Sequence, residues 1–277
     1  MNFTLIAVGA AFFAAISNLM ARVLLKRIKS QDIFWFNFVI MGVTLALLSP
    51  LFYFFEATAA SMAILVAIAL IDTLANISYF KAFEELEAGT VTPILSLAPI
   101  VTFIFGFFLL GDVVPLKTLM ISAGILIAVL LFSLDKSALK NLRSSSFRYA
   151  LYAALLFGIS AIPSKYLLDT IGVINAPTLY MFRAGYIASF SLLFFKPAIP
   201  KISLSQFRML FLRSIFVIIQ WLLIYKALTM GSAGVTMTLA NVAPIFTFIL
   251  AAIFLKEKIT LKKVLASILI ASFFFFI

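Results

Sequence analysis

Two ionisable residues of this chain lie inside long apolar runs. Asp72 is in the middle of "ALIDTLANISYFKAF", and Arg183 lies between Tyr180 and Tyr186 in "APTLYMFRAGYIASF". A charge in apolar surroundings is costly, so such a residue indicates a functional site or a buried partner. Asp72 has the chemistry to bind an amine or to carry a proton, and Arg183 has the chemistry to bind an anion. The structural alternative is that Asp72 is an ion-pair partner of Arg183 or Arg213.

Further candidate binding residues are polar or aromatic side chains of the same or neighbouring runs. Asn76 and Tyr79 follow Asp72 at i+4 and i+7, which places all three on one helix face. The remaining candidates come from the other apolar runs and are Ser96, Lys165, Gln220, Trp221 and Asn241. The alternative for Lys165 is that it extends to a membrane surface. Tyr225 is interpreted as an anchor at that surface.

Several kinds of chemistry are excluded by composition. The chain has no Cys and no His, so it has no disulfide, thiol nucleophile, imidazole base or ordinary zinc site. It has no GxxxxGK[ST] sequence, so ATP is not the direct source of energy. An intramembrane aspartyl protease needs a second acid facing Asp72, but Asp112 is at the edge of a run and is interpreted as a partner of a helix N-terminus. We therefore expect neither an enzyme nor a cofactor.

The composition is that of a membrane protein. Hydrophobic residues make up 65% and charged residues 11% of 277 residues, with mean hydropathy +1.21, whereas soluble domains have about 45–50% and about 25%. The net charge of +11 is spread over the junctions between apolar runs, which argues against nucleic-acid binding. Ten runs are long enough to predict transmembrane helices: 3–25, 33–55, 61–83, 90–111, 117–133, 148–168, 176–195, 206–228, 232–255 and 261–277.

The chain contains a duplication. "LAPIVTFIF" at 97–105 is repeated loosely as "VAPIFTFIL" at 242–250, and residues 81–117 align on 226–262 without a gap. The alignment predicts two five-helix repeats, 1–134 and 148–277, joined by the loop 135–147.

The basic residues predict that the two repeats are inverted. Five is an odd number, so consecutive copies enter the membrane in opposite directions. Sixteen of the 21 Lys and Arg residues fall at alternate junctions, which lie on one side of the membrane. The positive-inside rule places these junctions in the cytoplasm and both termini outside. Inverted repeats of this kind build secondary transporters, whose substrate site lies near the midplane between the halves.

Pro99 and Pro244 occupy matching positions in the two copies. A proline inside a helix lacks an N–H and frees the carbonyl four residues earlier, which in a membrane must face protein or a cavity. We therefore predict that the helices bend at these prolines as hinges that open and close a cavity. The alternative is a static kink.

The duplicated pattern resembles a known family. The stretches "SYFKAFEELEAGTVTPILSLAPIVTFIFGFFLLGDVVPLK" and "IYKALTMGSAGVTMTLANVAPIFTFILAAIFLKEKITLK" are similar to the signature of the EamA-type drug/metabolite transporters. "LLFGISAIPSKYLL" and "APTLYMFRAGYIASF" resemble the opening of an EamA repeat, with Lys165 and Arg183 at its two basic positions. The resemblance implies a ten-helix basket of two inverted halves around a central cavity, and outward movement of small metabolites.

Two features depart from the family. Asn37 occupies in the first copy the position that Arg183 occupies in the second, so the two walls of the cavity are unequal. Family members usually keep both termini in the cytoplasm, whereas the charges here place them outside.

The sequence therefore predicts a secondary active transporter. Its substrates are small polar or amphipathic metabolites, amino acids or organic anions, and we expect an exporter that works by alternating access between the repeats. The alternative is a passive facilitator or channel, followed by a membrane-embedded enzyme. We expect a monomer in the inner or plasma membrane whose partners are its substrate and lipid.

Overall fold

The computed structural model describes residues 3–25, 28–85, 91, 94–133, 145–194, 203–254, 268–269 and 272. The named helices of this part of the chain are α1 Phe3–Leu25, α2 Ser30–Leu48, α3 Ala59–Glu85, α4 Ala98–Phe105, α5 Leu116–Ser133, α6 Ser145–Lys165, α7 Ala176–Phe194, α8 Leu204–Leu228, α9 Ala233–Ala240 and α10 Ala243–Phe254. A 3-10 turn, Ser49–Leu51, follows α2, and π-helical turns, Gly106–Leu110 and Tyr166–Thr170, extend α4 and α6. The predicted all-helical class is confirmed over the described residues.

Five of these helical segments are long and apolar enough to cross a membrane: Phe3–Leu25, Ser30–Leu51, Ala59–Ala82, Phe147–Thr170 and Leu204–Leu228. Shorter apolar helices cover Ala98–Leu110, Leu116–Val129 and Ala233–Thr247. Most of the predicted tenth span, 261–277, and of the loop 135–147 lies outside the described residues. The count of ten and the inverted topology therefore stay predictions.

The helices that carry Pro99 and Pro244 are interrupted just before each proline. A turn at 96–97 precedes α4 and a turn at 241–242 separates α9 from α10, so each proline is the second residue of a new helix. The expectation of a proline inside a continuous helix is wrong. In the first turn of a helix the missing N–H has no intrahelical partner to lose, so the chain accommodates the proline by beginning a new helix.

The helices of the two repeats pack on each other reciprocally. The first helix of each repeat packs on the third helix of the other, in the pairs α1–α8 and α6–α3. The second helices, α2 and α7, also pack together, as do α4 and α9. Each of these pairs joins one helix of the first repeat to one helix of the second, so the two repeats pack on each other along several helices.

Close packing of α4 on α6 depends on Gly158. A Cβ atom at this position would lie 2.6 Å from the carbonyl oxygen of Ala98. Only glycine permits this approach, as is usual where helices meet without a side chain between them.

Two loops at one end of the helices are joined by backbone and side-chain hydrogen bonds. The loop before α3 and the loop before α7 form an antiparallel bridge between Phe55 and Ile174. Glu56 N donates to the carbonyl of Val173 at 2.8 Å, and Asn175 Nδ2 donates to the carbonyl of Phe52 at 2.6 Å. These bonds tie the two repeats together at this end.

Candidate functional site

The centre of the protein contains a buried ion pair between the repeats. Asp72 of α3 is 0% exposed and Arg183 of α7 is 2% exposed. Asp72 Oδ2 pairs with Arg183 Nε, and Oδ1 accepts a hydrogen bond from the hydroxyl of Ser160 on α6 at 2.6 Å. Of the two cations considered as structural partners of Asp72, Arg183 is the one that contacts it. The pair joins a helix of the first repeat to two helices of the second.

Aromatic side chains surround the guanidinium of Arg183. Its Cζ lies 3.9 Å from the ring centroid of Trp221 and 6.0 Å from that of Tyr180, which is the distance range of cation–π attraction. Its Nη1 donates to the hydroxyl of Tyr225 at 2.5 Å. Tyr225 is 0% exposed, so its interpretation as an anchor at the membrane surface is wrong: its phenol is part of the core.

A second buried arginine contacts the first repeat. Arg213 of α8 donates from Nε to the carbonyl of Ser17 on α1 at 3.2 Å. It donates from Nη1 to Oδ1 of Asn37 on α2 at 2.5 Å. The hydroxyl of Ser214 donates to the same Asn37 oxygen at 3.1 Å. Arg213 is therefore held by neutral oxygen atoms of two helices from the other repeat.

The two arginine clusters are linked through one sulfur atom. The thioether of Met41 accepts from Asn37 Nδ2 at 3.5 Å and from the Tyr180 hydroxyl at 3.2 Å. Tyr180 in turn lies beside Arg183. Hydrogen bonds, one cation–ring contact and one ion pair therefore link Arg213 to Asp72 through Asn37, Met41, Tyr180 and Arg183.

The two arginine clusters involve matching residues of the two repeats, but they differ in net charge. Asn37 and Arg183 are the matching residues of the two second helices, and each contacts the third helix of the other repeat. Arg183 meets the carboxylate of Asp72, whereas Asn37 meets the guanidinium of Arg213. One cluster is thus neutral overall, and the other has a positive charge.

Lys165 lies in a different cluster, at the end of α6. Its Nζ is 3.7 Å from Asp112 Oδ1 and 3.4 Å from Asp169 Oδ2. It also donates to the carbonyl of Leu228 at 3.1 Å and to that of Gly231 at 2.5 Å. These contacts occupy the ammonium group and hold it inside the protein. The structure does not bring Lys165 to the Asp72–Arg183 pair.

Asp112 connects this end cluster to α9. Its Oδ2 accepts a hydrogen bond from the backbone N–H of Ala233, the first residue of α9, at 2.7 Å. A carboxylate at a helix N-terminus is favoured by the helix dipole. The sequence predicted this type of role for Asp112, but the helix that it serves belongs to the other repeat.

The two predicted neighbours of Asp72 on α3 are half-buried. Asn76 Nδ2 donates to the backbone carbonyl of Asp72 at 2.8 Å, so this amide stays within its own helix. The ring of Tyr79 packs edge-on against Phe80 and Phe157, with centroids 5.2 and 6.3 Å away. Asn76 is therefore beside the ion pair, and Tyr79 lies further along the same helix.

The other predicted residues occupy separate places. Ser96 is buried in the turn before α4. Asn241 is half-buried and donates from Nδ2 to the carbonyl of Met237 at 2.8 Å, which closes the last turn of α9. Gln220 is half-buried on α8 beside Trp221. Of the predicted set, the structure groups Asp72, Asn76, Arg183 and Trp221.

Three residues of the site were not predicted to bind: Ser160, Tyr225 and Arg213. A single serine in an apolar helix gives no signal that it meets an acid from another helix. Arg213 does carry a signal, because an arginine within a membrane span is as unusual as Arg183.

The comparisons with known proteins agree with this architecture. Residues 2–134 and 146–277 each match the EamA-like transporter family. A crystal structure of another protein shares the fold, with a TM-score of 0.77 and 13% identity over 99% of this chain and 95% of that chain. No curated protein sequence matches the chain. Together with the long apolar helices, the two family matches make this a multi-pass membrane protein, and the chain belongs to the EamA-like transporter family.

Proposed function

We propose that the protein is a secondary active transporter of small amphipathic metabolites with a carboxylate group, either amino acids or organic anions. The observation that carries this proposal is the Asp72–Arg183 ion pair, which is buried between the repeats and bordered by Trp221 and Tyr225. Ionisable residues at such a position are costly and mark transport pathways.

The arrangement of charges suits a ligand with both signs or with a negative charge. A zwitterion can place its ammonium group near the carboxylate of Asp72 and its own carboxylate on a guanidinium, so both of its charges meet an opposite charge. The half-buried ring of Trp221, which stacks on the buried ring of Tyr180, offers an apolar surface to the rest of the solute, as in other sites for amphipathic ligands.

Alternating access is supported by the helix breaks and by the packing between the repeats. Discontinuous helices near the midplane are a feature of transporters built from inverted repeats. The turns before Pro99 and Pro244 give the fourth helix of each repeat such a break. The hinge role of the two prolines is part of this proposal. The first half of one fourth helix, α9, packs on the second half of the other, α4.

We further propose that the protein is an exporter in the cell membrane and that it works as a monomer. The internal duplication supplies both halves of the pathway from one chain. The basic junctions favour termini on the outer side. Transport is coupled to protons through Asp72; in the alternative, a passive facilitator, the solute moves down its own gradient alone.

The test is a binding screen followed by transport. Purified protein is heated with a panel of amino acids, nucleosides, sugars and organic acids; a ligand at 100 times its Kd adds about 2.7 kcal/mol to the folded state. Solutes that raise the unfolding temperature are then tested for counterflow in proteoliposomes, which a carrier performs and a channel does not.

Variants of the ion pair show whether the central site is responsible. We expect Arg183→Gln and Asp72→Asn to abolish counterflow, whereas Lys226→Gln, at an exposed position of α8, leaves it unchanged. Counterflow at the wild-type rate in both central variants would refute the role of the pair.

A further inference from the structure

Arg213 is a buried cation without an acidic partner. Its exposure is 7%, and its contacts are to the carbonyl of Ser17, the amide oxygen of Asn37 and no carboxylate among the described residues. The other buried cations of the described residues, Arg183 and Lys165, each form ion pairs with acids. A buried charge is costly unless it is paired, so among the described residues Arg213 is the buried cation that lacks an anionic partner.

The guanidinium of Arg213 also keeps unused donors. An arginine has five N–H groups, and the described contacts use one from Nε and one from Nη1. Its Nη2 makes no hydrogen bond to a described residue. The edge formed by Nη1 and Nη2 therefore keeps N–H groups that donate to no described residue.

The surroundings of this edge suit a solute. Arg213 lies where α8 of one repeat meets α1 and α2 of the other. Among the described titratable side chains, Tyr79 and Tyr180 lie near enough to interact with it electrostatically. Tyr180 is shared with the Arg183 cluster through Met41, so the free edge belongs to the same central region as the ion pair.

We propose that Arg213 binds the carboxylate of the transported solute, while Arg183 stays paired with Asp72; this inference rests on the proposed transport function. A carboxylate accepts two parallel hydrogen bonds from the Nη1–Nη2 edge, which is the geometry that arginine provides best. The bound anion also neutralises the charge that the protein leaves unpaired. Arg183 and its aromatic neighbours then border the rest of the solute.

The variant that tests the Arg213 subsite most directly is Asn37→Asp. It places a carboxylate of nearly the same shape where Arg213 Nη1 already donates at 2.5 Å, and so supplies internally the anion that the solute would bring. We expect this variant to unfold at a higher temperature than the wild type without ligand, and to bind carboxylates at least about tenfold more weakly, since hydrogen bonds to charged groups are among the strong ones. If Arg213 has only a structural role, the Asn37→Asp variant gains stability but binds carboxylates as tightly as the wild type does.

The probes are L-phenylalanine, L-leucine and benzoate, each paired with its amide. Binding affinity is measured from the dependence of the unfolding temperature on the concentration of each probe. Transport is measured as counterflow. The proposal expects the wild type to prefer each acid over its amide by about tenfold or more. Asn37→Asp and Arg213→Gln lose this preference and Arg213→Lys retains part of it.

The matched control is Gln206→Glu. It adds the same charge with the same change of shape, but in the exposed first turn of α8, where a glutamate keeps the capping box with Ser203. It is expected to bind and transport as the wild type does. Because Asn37→Asp keeps Arg213 and gains an ion pair, a loss of binding in this variant does not come from failed folding.

The outcomes test the Arg213 subsite and the transport function separately. The Arg213 subsite is wrong if Asn37→Asp keeps the acid preference, or if the wild type binds none of the acids or treats acids and amides alike. If the wild type performs counterflow equally well with acids and with amides, the transport function is supported and the Arg213 subsite is refuted. An acid preference that Asn37→Asp abolishes, without any counterflow in the wild type, would keep the subsite and discard transport.

Discussion

Replacement of Asp72 by asparagine is expected to destabilise the protein strongly. The side chain is 0% exposed, and its carboxylate offsets the charge of Arg183, which is 2% exposed. Asparagine keeps the shape and an oxygen for the Ser160 hydroxyl, but it leaves the guanidinium buried without an anion. Removal of one member of a buried ion pair costs about 3–5 kcal/mol.

The opposite single change, Arg183→Gln, has a comparable cost for the same reason. It leaves the carboxylate of Asp72 with only the Ser160 hydroxyl as a described donor. The double variant Asp72→Asn, Arg183→Gln has no buried charge at this position, so the desolvation cost of both groups disappears. We therefore expect the double variant to be more stable than either single variant.

The assay is thermal unfolding of the four purified proteins in one detergent at one pH. With about 2–4 °C per kcal/mol for a chain of this size class, each single change is expected to lower the unfolding temperature by about 10 °C. The double variant should recover part of this loss. If the two losses simply add, or if Asp72→Asn unfolds with the wild type, then the pair does not have the energetic coupling that its burial implies.

Three further predictions concern packing, the end cluster and the helix breaks. Gly158→Ala brings a methyl group within 2.6 Å of a carbonyl oxygen of α4 and is expected to cost about 1–3 kcal/mol, whereas Gly185→Ala, with no atom within 4 Å, serves as the control in thermal unfolding. Asp112→Asn weakens the bond to α9 and removes an ion pair, so we expect unfolding to become easier by about 1–3 kcal/mol in the same assay. Pro99→Ala and Pro244→Ala should slow counterflow with little effect on ligand affinity; unchanged rates in both would argue for a static role.

The helices were predictable because hydropathy depends on local composition. The runs 3–25 and 206–228 correspond closely to α1 Phe3–Leu25 and α8 Leu204–Leu228. The breaks before the two prolines were expected as kinks, since sequence shows where an N–H is absent but not whether the chain begins a new helix there.

The partners within the site were less predictable. Asp72 and Arg183 were recognisable as unusual charges, but their pairing depends on how α3 packs on α7. Tyr225 was misinterpreted because its position near a helix end suggests a membrane surface, while its burial comes from contacts with another helix. Lys165 matched a family position, yet its acids come from the loop before α5 and from its own helix end.

The unequal charges of the two arginine clusters have a consequence for membrane voltage. With Asp72 and Arg183 cancelling each other, the described centre of the empty protein has the single positive charge of Arg213. In the proposed mechanism, a bound monoanion reduces this charge to zero. We therefore expect the electric field, which acts with about 2.3 kcal/mol per charge for each 100 mV, to affect the conformational step of the empty carrier more than that of the loaded one. A voltage across the membrane is then expected to change the rate of the return step more than the rate of the step that moves the solute.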